Sequence, residues 1–273
     1  MICLKLLLLI ALPAPGQTPK TELPPDKAIK IERIEKEETP KVWKAEEFRI
    51  VPVRVHLIRA PDTAAGTTLK TEDIERVFRK ANGIWHAAGV HLWVESIVSE
   101  KRATLEGHTQ DLTLPLEALL PLRPLVTDGA TCFHIYYIHA MAPNGIYMRR
   151  DGIFVKETAK LRDVPGGIDE PLPRVSAHEL GHGMGLPHRQ DTTNLMASGT
   201  TGTSLNSAEI EIVRNTLATF SWVQTSEEFL KNADKLAKDK NTILARSYYR
   251  ALLELPNASP LKDKAKASLK HLK

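Results

Sequence analysis

The run His178-Glu179-Leu180-Gly181-His182-Gly183-Met184-Gly185-Leu186-Pro187-His188 concentrates the side chains with the most chemistry in the chain. On a helix, residues four apart lie one turn apart on the same face. His178 and His182 would therefore aim two imidazole nitrogens at one point. Gly185 tolerates the positive φ that turns a chain at a helix end, and Pro187 forbids the helix from continuing. Such a turn lets His188 return as a third nitrogen. Three neutral nitrogen ligands with the fourth position open is the arrangement of a catalytic zinc rather than a structural one. Glu179, beside the first ligand, can reach a water at that open position without occupying the metal.

The pattern HExxHxxGxxH, here HELGHGMGLPH, is followed eight residues after His188 by Met196 in the small-residue run Asn194-Leu195-Met196-Ala197-Ser198-Gly199. Together these resemble the metzincin clan of zinc metalloendopeptidases, over roughly residues 48–222. The resemblance implies one zinc ion on His178, His182 and His188, with Glu179 as the catalytic residue. Met196 matches the methionine of the Met-turn beneath the zinc. The implied activity is hydrolysis of peptide bonds by a metal-activated water, with Glu179 as general base and then general acid. Extended substrates would pair with an edge strand, Ile146–Arg149 or Ile153–Lys156. The loop from Ala197 to Asn206 would line the pocket beyond the scissile bond.

Departures limit the subfamily. Arg189, after the third histidine, is not the Ser, Asp, Glu or Pro of the better-known families. No tyrosine follows Met196, so the extra tyrosine ligand of astacin-like and serralysin-like enzymes is not expected. The cysteine pattern of reprolysins is absent, and the 17–47 stretch has no cysteine to act as a latency switch. A matrixin-like or archaeal/bacterial type is the description that fits.

The elements that must position these residues give an α+β class. A strand is expected from Phe48 to Arg59, with Pro52 marking an edge or a bulge. Thr71 caps a helix on which Ile74, Val77, Phe78, Ala81 and Trp85 recur, stopped by Gly89. Strands follow at His91–Val98 and Cys132–Ala140, then a pair at Ile146–Arg149 and Ile153–Lys156 around turn signals. Residues 99–128 carry no clear pattern. A mixed, mostly parallel twisted sheet, a backing helix and an active-site helix result. Asn206-x-x-Glu209 opens a helix to Phe220, and Thr225-x-x-Glu228 opens another to Lys238. Thr242–Glu254 and Lys262–Leu272 complete a C-terminal helical appendage. Tyr248, Ala251 and Pro256 have the spacing of one tetratricopeptide helix, too little for a solenoid.

The expected domains are a leader at 1–16, a Pro/Lys/Glu-rich linker or short pro-segment at 17–47, the catalytic domain at 48–223 and the helical extension at 224–273. Lys5, the apolar run Leu6–Leu12 and the small residues Ala14 and Gly16 read as an export signal, so a secreted or extracytoplasmic (periplasmic or extracellular) location is expected. The apolar run is too short to span a membrane. The 273 residues are 42% hydrophobic and 26% charged with a net charge of +4. This composition argues for an ordinary globular protein and against nucleic acid as a partner. Cys3 lies in the leader, so Cys132 is the one mature thiol, expected to be buried and inert.

His56, His86, His91, His108, His134, His139 and His271 have no ligand spacing among themselves. Asp191 could orient His188, although a turn role fits better. Asp163, Asp169 and Glu170 around Gly166-Gly167 could hold calcium, but they lack the alternating oxygen pattern of a calcium loop. The leading function is a secreted zinc endopeptidase acting on protein or peptide substrates. The alternatives are a catalytically silent zinc protein docking a partner through its basic helical tail, and a zinc hydrolase of another bond.

Overall fold

Strand β1 (Arg49–Arg59), helix α1 (Thr71–Trp85) and strand β2 (Val90–Lys101) form a parallel crossover unit. The structure is a computed structural model and describes residues 41–60, 64–101, 113–123, 131–149 and 152–272. The expected leader, most of the 17–47 stretch and His108 lie outside these residues. Strands β3 (Phe133–Ile138), β4 (Gly145–Met148) and β5 (Gly152–Lys156) extend the sheet in the order β2-β1-β3-β5-β4. β1, β2, β3 and β5 are parallel, whereas β4 runs antiparallel to β5. A short strand, β6 (Gln224–Thr225), pairs antiparallel with the start of β1. The α+β expectation therefore resolves into a mixed, mostly parallel sheet with helices.

Pro52 sits in an interior strand, not on an edge. The missing N–H is tolerated because Pro52, in register with Trp93 of β2, falls in a gap between the β6 and β3 pairings on the other side of β1. β6 pairs Arg49 and Ile50, β3 pairing starts at Val53, and the β1–β2 register shifts between Val53 and Arg54. A proline removes a donor from a continuous ladder, and here the ladder is interrupted. The bulge half of the expectation therefore comes closer than the edge half. The α1 cap falls one residue earlier than expected. The Lys70 backbone N–H donates to the Asp73 carboxylate at 2.9 Å, with Thr71 already helical. The chain leaves α1 through a short 3-10 turn at His86–Ala88 that ends on Gly89 with φ +65°.

Three apolar clusters hold the fold. The largest lies between the sheet and helices α1 and α2 (Pro171–Gly183), with Val53, Val55, Phe78, Trp85, Leu180 and Met196 buried in it. A second covers the opposite sheet face around Ile58, Tyr136 and Phe154. Beyond helix α3 (Ser207–Ala218), the third joins the appendage helices α4 (Ser226–Lys238), α5 (Thr242–Glu254) and α6 (Pro260–His271) to Phe48, Ile50 and Trp93 at the sheet. Helix α6 starts two residues earlier than expected because Ser259 caps it and Pro260 takes its first position. Trp43 and Ala45 also belong to this third cluster, so packing begins a few residues before Phe48. No helix among the described residues is long and apolar enough to cross a membrane.

Phe229 is 1% exposed and stacks on Tyr248 while its edge meets Trp93. Phe229→Ala should cost about 3–5 kcal/mol in urea denaturation. Because sheet and appendage share this cluster, Trp93 fluorescence and far-UV circular dichroism should still report one coincident transition. Two separated transitions would show that the appendage folds independently.

Candidate metal centre

Helix α2 opens on Pro171, which suits the first helical position. It carries Val175 and Leu180 into the core and ends at Gly183. Gly185 has φ +93°, and the Leu186 and Gly185 amides donate to the carbonyls of Gly181 and His182 at 2.9 and 3.0 Å. This is a Schellman termination, the pattern that needs a glycine just past the helix end. It reverses the chain and returns His188 to the helix. His178, His182 and His188 each present one nitrogen, and these nitrogens lie within 4.8 Å of one another.

Hydrogen bonds assign the tautomers. His178 Nδ1 faces the Leu195 carbonyl at 2.8 Å, and His182 Nδ1 faces the Leu186 carbonyl at 2.8 Å. A carbonyl can only accept, so each Nδ1 donates its proton and leaves Nε2 with a lone pair. Backbone acceptors of this kind orient ligating histidines. His182 Nε2 and His188 Nε2 stand 3.1 Å apart. Two nitrogens bound to one tetrahedral zinc would be about 3.3 Å apart. The donor set therefore fits zinc. Burial pushes His178 down to about 3 and lowers His182, which keeps both neutral, as ligation requires.

Glu179 is 6% exposed, and burial pushes its carboxyl up to about 7, against the lowering effects of the Tyr147 backbone N–H and the Arg174 charge. Strand β4 crosses directly over it. A Cβ on Gly145 would lie 2.7 Å from Glu179 Oε1, so only glycine lets the strand pass this close. Between β4 and α2 is a cavity of about 390 Å³ lined by Gly145, Ile146, Tyr147, Glu179, His182 and His188. β4 is the outer strand of the sheet at this end. Ile153–Lys156, the other candidate for substrate pairing, is β5 and is bonded on both sides, so it has no free edge.

Met196 is fully buried, and its sulfur would lie 2.6 Å from a Cβ placed on Gly181. The turn bearing it is held by two groups that sequence reasoning missed. Arg174, 1% exposed, donates to the carbonyls of Gly202 at 3.2 Å and of Ala197, and its Nη1 lies 3.2 Å from His178 Nδ1. Burial pushes its guanidinium down to about 10. The available signal was an arginine one turn before His178 on an otherwise apolar helix. The second group is Glu209, fully buried. Its carboxylate accepts from Arg189 Nε at 2.7 Å and Asn194 Nδ2 at 2.8 Å, as well as from the Asn206 amide that it caps. Asn194 Oδ1 in turn accepts the Met196 amide at 2.7 Å. Arg189, the residue that departs from the metzincin pattern, is thus the cation that lets Glu209 be buried. Its amide also donates to the Met196 carbonyl at 2.9 Å.

None of the loop 197–206 lines the described cavity. Arg174 holds it at Ala197 and Gly202, one turn before His178 on the same face of α2, and Thr201 bonds it to Arg162, Val164 and Ile168. Asp191 closes its own turn by accepting from the Thr193 amide and hydroxyl at 2.9 Å each. Asp169 and Glu170 pair with Lys80, and Glu170 with Arg76, which leaves little charge for calcium. His56 bonds His134 and Glu100, and His86 bonds His91, away from the three-histidine cluster. Cys132 is buried, and its thiol is pushed up to about 11 by burial.

No family model matches the chain, and no curated protein does. Among solved structures, archaemetzincin from Methanopyrus kandleri is similar at 16% identity with a TM-score of 0.43, over 62% of this chain and 96% of that one.

Arg174→Met keeps the length and removes the donors to the turn. Zinc affinity measured by chelator competition should fall about 10–100-fold, and an unchanged affinity would remove Arg174 from the positioning role. Glu179 has a folded pKa above its unfolded value, so its contribution to stability is full below about pH 4.5 and is lost as pH rises through about 7. Metal-free Glu179→Gln should therefore gain on the metal-free parent across that window, by on the order of 3 kcal/mol at its upper end. Denaturation curves that keep a constant gap from pH 4.5 to 7.5 would contradict the burial of an ionisable carboxyl here.

Proposed function

We propose that this chain is an exported zinc-dependent endopeptidase of the metzincin type. The observation that carries the reading is the convergence of three imidazoles beside a buried carboxyl, in a cleft bordered by strand β4, whose outer side pairs with no strand among the described residues. His178, His182 and His188 would hold the ion through their Nε2 atoms. Bound there, zinc supplies Lewis-acid polarisation of the scissile carbonyl and a more acidic water. Glu179 takes a proton from the attacking water on a carboxylate oxygen and passes it to the leaving amine nitrogen. Its elevated pKa suits both roles near neutral pH. The substrate chain lies along β4 and pairs with its outer edge, which fixes the scissile bond over Glu179 and excludes bulk water. Met196 and its turn form the floor under the imidazoles. Lys5, the apolar run Leu6–Leu12 and the small residues Ala14 and Gly16, with the pattern of an export signal, support export.

The test is direct. Purified chain and Glu179→Ala are assayed for zinc per mole and for cleavage of a mixed peptide library, with and without chelator. One zinc in each is expected, with cleavage by the parent alone and a loss of about 10²–10⁴-fold in the variant. Zinc binding without any cleavage by the parent would overturn the peptidase reading in favour of a zinc-binding interaction protein.

A further inference from the structure

A groove of about 980 Å³ lies at the opposite end of the sheet from the three histidines. Its floor is the outer side of β2, and its walls are α1 and α5. β2 ends the strand order, and among the described residues no strand pairs with its outer side. Four strand intervals separate it from β4, about 19 Å.

The two walls differ in chemistry. On the α1 side Phe78, Val94 and Ile97 pack against the main core and present apolar surface. On the α5 side Arg246 and Arg250 stand one turn apart, beside Ile243, which is 85% exposed. Arg246 Nη2 donates to the Leu272 carbonyl, but neither arginine, nor Arg79 across the groove, has a carboxylate within ion-pair distance among the described residues. Glu75 and Glu254 are the acidic groups of the lining, so the balance is basic. His91 Nε2, 1% exposed, and Arg246 Nε make no hydrogen bond, although His91 Nε2 stands 3.8 Å from Glu254 Oε2. Buried polar groups without a hydrogen bond are uncommon, and an acceptor from a ligand would satisfy Arg246 Nε.

The strand edge limits what can sit there. At Leu92 both main-chain groups are taken by Asn82, whose side chain donates to the carbonyl at 3.0 Å and accepts the amide at 2.7 Å. Beyond it the shift of register leaves Glu95 out of the ladder, and pairing with β1 resumes at Ser96. The available edge therefore starts at Val94 and suits a short segment. An added strand places alternate side chains towards α1 and towards α5. Apolar residues suit the first wall and carboxylates the second.

We propose that this groove binds an extended acidic peptide of about six residues, paired with β2 from Val94 onward and holding its carboxylates against Arg246 and Arg250. The site does not depend on whether the chain cleaves peptides. It is tested with full-length Glu179→Gln chain and three fluorescein-labelled hexapeptides: alternating Val-Glu, alternating Val-Lys, and Val-Glu with alternate amides N-methylated. Fluorescence anisotropy should show Val-Glu binding at least tenfold tighter than Val-Lys, and tenfold tighter than the N-methylated form that cannot pair. The Arg246→Glu/Arg250→Glu double variant should lose tenfold for Val-Glu with zinc content and circular dichroism unchanged. Arg246→Gln/Arg250→Gln serves if that variant does not fold. Hydrogen exchange should slow at Val94–Ile97 on binding. Equal affinity for the acidic and basic peptides, indifference to N-methylation or to the arginine changes, or protection at β4 instead of β2 would each overturn the proposal.

Discussion

Three imidazole nitrogens brought to one point crowd polar atoms that a shared cation would hold together, and this constraint organises the C-terminal half of the sheet domain. Two of the three are fixed by helix geometry alone. The third needs the chain to reverse within a few residues, which Gly185 makes sterically feasible. Reversal alone would leave His188 on a mobile loop. The segment after it is instead bonded to the methionine turn through Arg189 and the Met196 carbonyl, and that turn is bonded to α2 through Arg174. The result is a closed circuit of hydrogen bonds around the site, with His178 restrained by the Leu195 carbonyl and His182 by the Leu186 carbonyl.

The circuit rests on two buried charges of opposite sign. Glu209 is fully buried with Arg189 as its cation, so it is a paired charge in the sense that burial demands. Arg174 has carbonyl acceptors instead of a carboxylate. Its positive charge close to His178 disfavours protonation of that imidazole, in the same direction as burial. An arginine placed there therefore helps keep the ligand nitrogen unprotonated, while its hydrogen bonds shape the turn.

The parts legible in the sequence were those set by local physics. The three-histidine spacing, the glycine turn after α2, the capping boxes at Asn206 and Thr225, and the periodicity of α1 all depend on residues within a few positions of each other. What was not legible depended on partners far along the chain. Pro52 reads as an edge residue until β6, some 170 residues later, proves to end just before it. Ile153–Lys156 reads as well as Ile146–Arg149 for a substrate edge, because strand order is not written in either segment. Glu209 shows its capping role locally, while its bonds to Arg189 and Asn194 appear only when the loops are folded. Gly145 looks like an ordinary turn glycine, and its reason is the close pass of β4 over Val175 and Glu179 of α2.

The shared cluster of Trp93, Phe229 and Tyr248 also bears on how the protein can be shortened. A trimmed chain ending near residue 223 would keep every group of the three-histidine circuit, yet it would uncover Phe48, Ile50 and Trp93 at the root of the first two strands. Such a fragment presents a wide greasy flank to water and invites self-association. The appendage is thus an integral lid on the sheet's hydrophobic underside, and a minimal folded unit must retain it or replace those three side chains with polar ones.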